Sequence, residues 1–141
     1  GGTVPQFQLF NDEIERIGKI LKEFLKNSAA KAAILTDISG VVMSKQGFVQ
    51  RYDVEAIAVL SANAISATRQ MASIIGESIF NEVIFNGKRN NTYITVFGDT
   101  NILVTIFDNS TTLGLVRLYA YKASEELNQI ISKIKERSEK T

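Results

Sequence analysis

The chain has 141 residues, a net charge of +1, and neither cysteine nor histidine. That length suits one domain with a sizeable core, and 45% hydrophobic residues mark it as folded. Without thiols or imidazoles, disulfides, zinc-thiolate sites and Ser-His-Asp or Cys-His catalysis are excluded, and the near-neutral charge gives no electrostatic reason to expect a nucleic-acid partner.

In chain order, residues 1–10 read as an irregular segment around the single proline, Pro5. Asn11 is placed to cap a helix whose first turn carries Asp12 and Glu13, favourable at the positive end of a helix dipole. Ile14, Ile17, Leu21 and Phe24 recur at helical spacing, with Lys19, Lys22, Glu23 and Lys26 off that stripe. Residues 32–38 read as a strand, Ser39-Gly40 as a turn, and 41–44 as a short return strand. A loop over 45–52 leads to Asp53, a good N-cap.

Residues 54–76 (VEAIAVLSANAISATRQMASIIG) hold no proline and no internal glycine, so the pattern predicts one long helix ending at Gly76. On a helical wheel, Ile57, Leu60, Ala64, Ala67, Met71, Ile74 and Ile75 share a stripe that reads as core-facing. Val54, Ala58, Ser61, Ile65, Ala72 and Gly76 form a second, small apolar face, with Ala62 and Arg69 at its edge. Glu55, Val59, Asn63, Ser66, Gln70 and Ser73 form a third, polar but almost uncharged. A surface helix ordinarily carries Lys and Glu outward, so burial on two faces and contact on the third is expected. Asn63, Ser66, Thr68, Arg69 and Gln70 would each be costly in hydrocarbon, which argues against a membrane span.

Strands follow at 80–85, 92–97 and 102–107, joined by turns at Asn86-Gly87 and Gly98-Asp99. Their apolar runs predict a sheet covered on both faces. A last helix is expected from Thr112 to about Glu136, with Val116, Ala120, Ala123, Leu127, Ile130, Ile131 and Ile134 as its stripe. Gly114 in its first turn costs about 1 kcal/mol against alanine, which close packing against a neighbour would explain. Tyr93, Phe97, Tyr119 and Tyr121 read as core or edge residues. Arg117 is expected to pair with an acid such as Asp37 or Asp108, and Lys88-Arg89 to be a solvated turn. The prediction is an α+β fold, an α/β/α sandwich of order α-β-β-α-β-β-β-α. Its five-stranded antiparallel sheet has the middle helix on one face and the terminal helices on the other. One domain is expected over 11–137, with a frayed tail at 138–141. No signal peptide or transmembrane run is visible, so a cytoplasmic protein without membrane insertion is expected.

That order resembles the Roadblock/dynein light chain family over roughly residues 11–135. The strings that carry the resemblance are Leu35-Thr36-Asp37-Ile38-Ser39-Gly40, the charge-poor helix 54–76, Asn86-Gly87, and Leu113-Gly114-Leu115-Val116-Arg117-Leu118. The last of these, with Ala-Ser-Glu-Glu-Leu at 123–127, is similar to the bacterial MglB-type branch. The resemblance implies a homodimer in which the third strands pair and the middle helices lie side by side. On this sequence the contact would comprise Ala58, Ser61, Ala62, Ile65, Ala72, Phe80, Glu82 and Ile84, and Ile65→Glu would break it.

The resemblance further implies a regulator, a GTPase-activating protein for a small Ras-like GTPase of MglA type, engaged preferentially when GTP-bound. It would act by rearranging the GTPase's own switch regions. The GTPase-binding residues would be Val59, Asn63, Ser66, Arg69 and Gln70, with Arg69 serving in a hydrogen bond across the dimer rather than as an arginine finger. The charged end at 133–140 reads as a wet helix end, and the resemblance adds contact with the GTPase as a role for it. No cofactor, metal site or catalytic residue of its own is expected. The chain holds no G-x-x-x-x-G-K-[ST] string, since Gly18-Lys19 is followed by Ile20. A non-catalytic dimeric scaffold for GTPase or motor complexes is the alternative. A PAS-like or profilin-like small-ligand sensor is a third reading, which would need an apolar pocket with a few polar groups.

Overall fold

The computed structural model describes residues 10–78 and 81–139. Helix α1 spans Asn11–Ser28, strands β1 and β2 span Ala32–Asp37 and Val42–Gly47, and helix α2 spans Val54–Ile74. Strands β3, β4 and β5 span Glu82–Asn86, Asn91–Phe97 and Asn101–Phe107, and helix α3 spans Leu113–Glu139. The order is the one the sequence predicts. The strands form one antiparallel sheet, β2-β1-β5-β4-β3, with β1 and β5 adjacent through the pair Leu35↔Leu103.

Alternation along the strands divides the core in two. Ala33, Leu35, Tyr93, Leu103 and Phe107 pack beneath α1 and α3, against Ile17, Leu21 and Phe24 and the whole expected stripe of α3. Ile34, Ile94, Ile102 and Val104 point the other way, toward α2. The sheet is therefore apolar on both sides, as its strand sequences require. Ile14 departs from the expected stripe of α1 and is 46% exposed. Asn11 is not the cap but already helical; the Phe10 N–H donates to the Glu13 carboxylate at 3.0 Å. That carboxylate also receives two hydrogen bonds from Arg137 of α3, at 2.7 and 3.1 Å, and the guanidinium lies 4.0 Å from the Phe10 ring centroid. The Arg137 hydrogen bond holds the Glu13 carboxyl below its ordinary pKa. Among the described residues, no helix is long and apolar enough to cross a membrane.

β2 runs three residues further than its sequence suggests, and its end requires a glycine. Gly47 has φ +92°, and a Cβ there would lie 2.2 Å from the Lys31 carbonyl oxygen and 2.9 Å from Leu25 Cδ1. Gly47→Ala should destabilise the fold by roughly 2–3 kcal/mol, the cost of a left-handed non-glycine residue with a backbone clash. A urea titration reads this directly; an unchanged midpoint would mean that the chain around Lys31 yields freely. Gly114 behaves differently from expectation. Among the described residues, nothing lies within 4 Å of a Cβ added there, so close packing against them does not explain it.

Candidate functional site

The site is built on α2. The Asp53 carboxylate accepts from the Ala56 N–H at 3.1 Å and starts the helix, and Gly76, at φ +81°, follows its end. At about 1.5 Å per residue the helix is roughly 31 Å long. Its contact with the sheet reverses the assignment of its two apolar faces. The buried residues are Val54, Ala58, Ser61, Ala62, Ile65 and Ala72, the small face expected to meet a partner. The stripe expected to face the core points outward: Leu60 is 64% exposed, Met71 57%, Ile74 84% and Ile75 61%. Ala67 is also exposed, and Ile57 and Ala64 are half-buried.

Bulk explains the reversal. The sheet already presents Ile34, Ile94, Ile102 and Val104 to this helix. Alanines at 58, 62 and 72 let the helix axis approach those branched side chains without overpacking. Ala58, Ser61, Ala62, Ile65 and Ala72 are thus core residues of the protomer, not surface available to a second chain. The residues that remain form an apolar strip, continued by Phe85 of β3, which is 52% exposed. Leu60, Ala64 and Phe85 share a shallow cleft of about 200 Å³ with Ile57, Ser61, Thr92 and Ile94. Apolar clusters of this kind on a protein's surface mark places of contact. The signal in the sequence was the alanine content of the small face, which fits a crowded sheet.

The third face stands where the wheel puts it. Val59, Asn63, Ser66 and Gln70 are all exposed, beside the apolar strip. The turn after β1 borders this face. Its Gly40, at φ +84°, rests against α2 closely enough that an added Cβ would lie 3.0 Å from the Val59 Cα. Asp37 fixes the turn by accepting from the Ser39 and Val41 N–H groups at 2.9 and 3.2 Å. Ile38 and Val41, both exposed, extend the face at its start, a contribution the sequence reading missed. Arg69 stands half-buried, and its Nη2 donates to the Asp99 carbonyl at 3.0 Å. The one cation of α2 is thereby tied to the β4–β5 turn of its own protomer.

Strand β3 forms one margin of the sheet. Glu82 and Ile84 are half-buried there, and Phe80 lies outside the described residues. Arg117 pairs with Glu82, not with Asp37 or Asp108, at 2.8 Å. Asp37 is engaged by its turn, and Asp108 by Ser110 and by Lys31 at 3.2 Å. The Arg117 hydrogen bond holds the Glu82 carboxyl below its ordinary pKa. Burial, followed by the hydrogen bond to Glu82, pushes the Tyr93 phenol up to about 12.

On that face of the sheet a larger hollow of about 770 Å³ opens between α3 and β4. Its lining is mixed, with Tyr93 and Phe97 beside Arg117, Glu82 and Asn128. Among the described residues, no group of three acidic side chains is gathered that could hold a metal ion.

The profile of the Roadblock/LC7 domain matches residues 16–107, from α1 to the end of β5. The chain belongs to the Roadblock/LC7 domain family. Among solved Roadblock structures, Myxococcus xanthus MglB is 35% identical and superposes with a TM-score of 0.83, covering 90% of this chain and 96% of that one. The gliding protein MglB of Thermus thermophilus is 30% identical, with a TM-score of 0.84 over 93% of this chain and 99% of its own. An MglB in a tetrameric arrangement is 29% identical, with a TM-score of 0.85 over 94% of this chain and 99% of its own. These likenesses reach beyond the profile match and take in α3.

Proposed function

We propose that this Roadblock chain is a homodimeric regulator of a small Ras-like GTPase, of the kind the MglB proteins exemplify. The observation that carries the proposal is the outer surface of α2, a wide arc on which Glu55 in the first turn is the one exposed charge, unlike the Lys- and Glu-rich face of an ordinary solvated helix. The apolar strip of Leu60, Met71, Ile74 and Phe85 meets a second copy, and the free margin of β3 pairs with its counterpart. Val59, Asn63, Ser66 and Gln70, flanked by Ile38 and Val41, then form with their symmetry mates a platform for the GTPase switch regions. The likeness to MglB supports a protein that assembles with itself.

The activator works without an arginine finger. Arg69, the cation of α2, is held by the Asp99 carbonyl of its own protomer, so the α2 platform offers no such finger, and rearrangement of the GTPase's own groups is the route to faster hydrolysis that this reading adopts. A finger would instead need a free guanidinium at the contact surface.

The test is a titration against a purified Ras-like GTPase from the same organism, loaded with a GTP analogue or with GDP. Tighter binding to the GTP-analogue form is expected. Val59→Asp combined with Gln70→Ala should weaken it by about tenfold or more, with the dimer intact, because a charge would be desolvated at the contact. Unchanged affinity in that variant would remove α2 from the GTPase site. Equal affinity for both nucleotide forms would favour the scaffold reading over the activator.

A further inference from the structure

Helix α3 lies over β4 and β5, and β3 sits beyond them with a single strand neighbour. One long side chain crosses the gap. Arg117, in the second turn of α3, grips Glu82 at the first residue of β3 through two hydrogen bonds. Nη2 lies 2.8 Å from Oε1, and Nε lies 3.2 Å from Oε2. The Tyr93 hydroxyl of β4 donates to the same carboxylate at 2.5 Å, and the guanidinium carbon stands 5.9 Å from the Tyr93 ring centroid. Three elements from different parts of the chain converge on one carboxyl group.

We infer that Arg117 is a positioning residue for self-association, bracing the start of β3 so that its outer margin is presented to a second copy. The inference rests on the dimer reading above. A strand of five residues at a sheet margin must be ordered before it can accept a partner strand, and that ordering costs conformational entropy. A bidentate arginine is suited to the task, because its planar fork fixes direction as well as distance. The two side chains are 46% and 36% exposed, so the pair adds little to the folding of the protomer. Its effect falls on association. It also gives α3, which lies across the sheet from α2, a say in an interface it does not line.

The experiment compares the intact chain with Arg117→Ala, Arg117→Lys and the exchanged pair Arg117→Glu with Glu82→Arg. Dimer dissociation is read by sedimentation equilibrium, β3 amide exchange by mass spectrometry, and folding by a urea melt. Arg117→Ala should weaken the dimer about tenfold and speed β3 exchange, with little change in the melt. Arg117→Lys should recover part of the loss, and the exchanged pair most of it. A dimeric parent whose Arg117→Ala variant keeps both the dissociation constant and the exchange rate overturns the positioning role alone. So does a variant in which folding and association fall together. A parent that stays monomeric at every concentration overturns the dimer reading on which the inference rests.

Discussion

Ile65→Glu is expected to unfold the protomer. Ile65 is 1% exposed, and its core neighbours Ile34, Ile94, Ile102 and Val104 are all apolar. None of these four offers a carboxylate a hydrogen-bond donor or a cation, and Arg69, one turn further along the helix, is already engaged by the Asp99 carbonyl. It must either stay charged at a large desolvation cost or take up a proton and still leave polar atoms unpaired. Overpacking is not needed to explain the loss. Together these terms cost roughly 4–5 kcal/mol, enough to exhaust much of the stability of a domain this size. Circular dichroism through a urea titration measures it. A variant that melts like the parent but runs as a monomer would return Ile65 to an outward face and reinstate the assignment that the structure reverses.

The complementary experiment places charge on the opposite side of the same helix. Leu60 and Met71 are eleven residues apart, so they share one azimuth on α2, and both are more than half exposed. Leu60→Asp combined with Met71→Asp should leave the fold intact, since exposed substitutions change stability by about 0.5 kcal/mol or less. The dimer should not survive. Four carboxylates would face one another across a two-fold axis in an apolar contact, and a loss of at least about a hundredfold in association follows. Light scattering across a range of concentrations would show a single-chain mass. A double variant that still runs as a dimer would exclude the outward strip of α2 as the contact. Together, the two experiments separate the face that builds the protomer from the face that joins two of them.

The element order, the Asp53 cap and the α3 stripe were all legible in the sequence, because each depends on neighbours three or four residues away. The orientation of α2 was not. A wheel finds two apolar stripes but does not know what the sheet beneath it offers. The wheel makes bulk the mark of burial, whereas here the strands supply the bulk and the helix supplies the alanines. The partner of Arg117 was hidden for a related reason. Glu82 lies 35 residues away in the chain and reaches it only once β3 has joined the sheet margin. Asp37 and Asp108 looked available because their own turn and strand-end contacts do not show in composition. Val59, Asn63, Ser66 and Gln70 could be read correctly as outward-facing because polar residues without charge on a long helix are informative by themselves.

The grip of Arg137 on Glu13 joins residues separated by 124 positions. Helix α1 leaves the ribosome long before the helix that flanks it, and β1 too, though for a shorter interval, waits for Ile106, Leu103 and Asn101 of β5. During synthesis, the apolar side of α1 therefore has only the β1–β2 hairpin against which to shelter. Native collapse must await α3, and the nascent protein spends that interval with Ile17, Leu21 and Phe24 short of their final cover. A domain so closed on itself gains a tight seam between α1 and α3. In exchange, it is more vulnerable to premature association while it is being made.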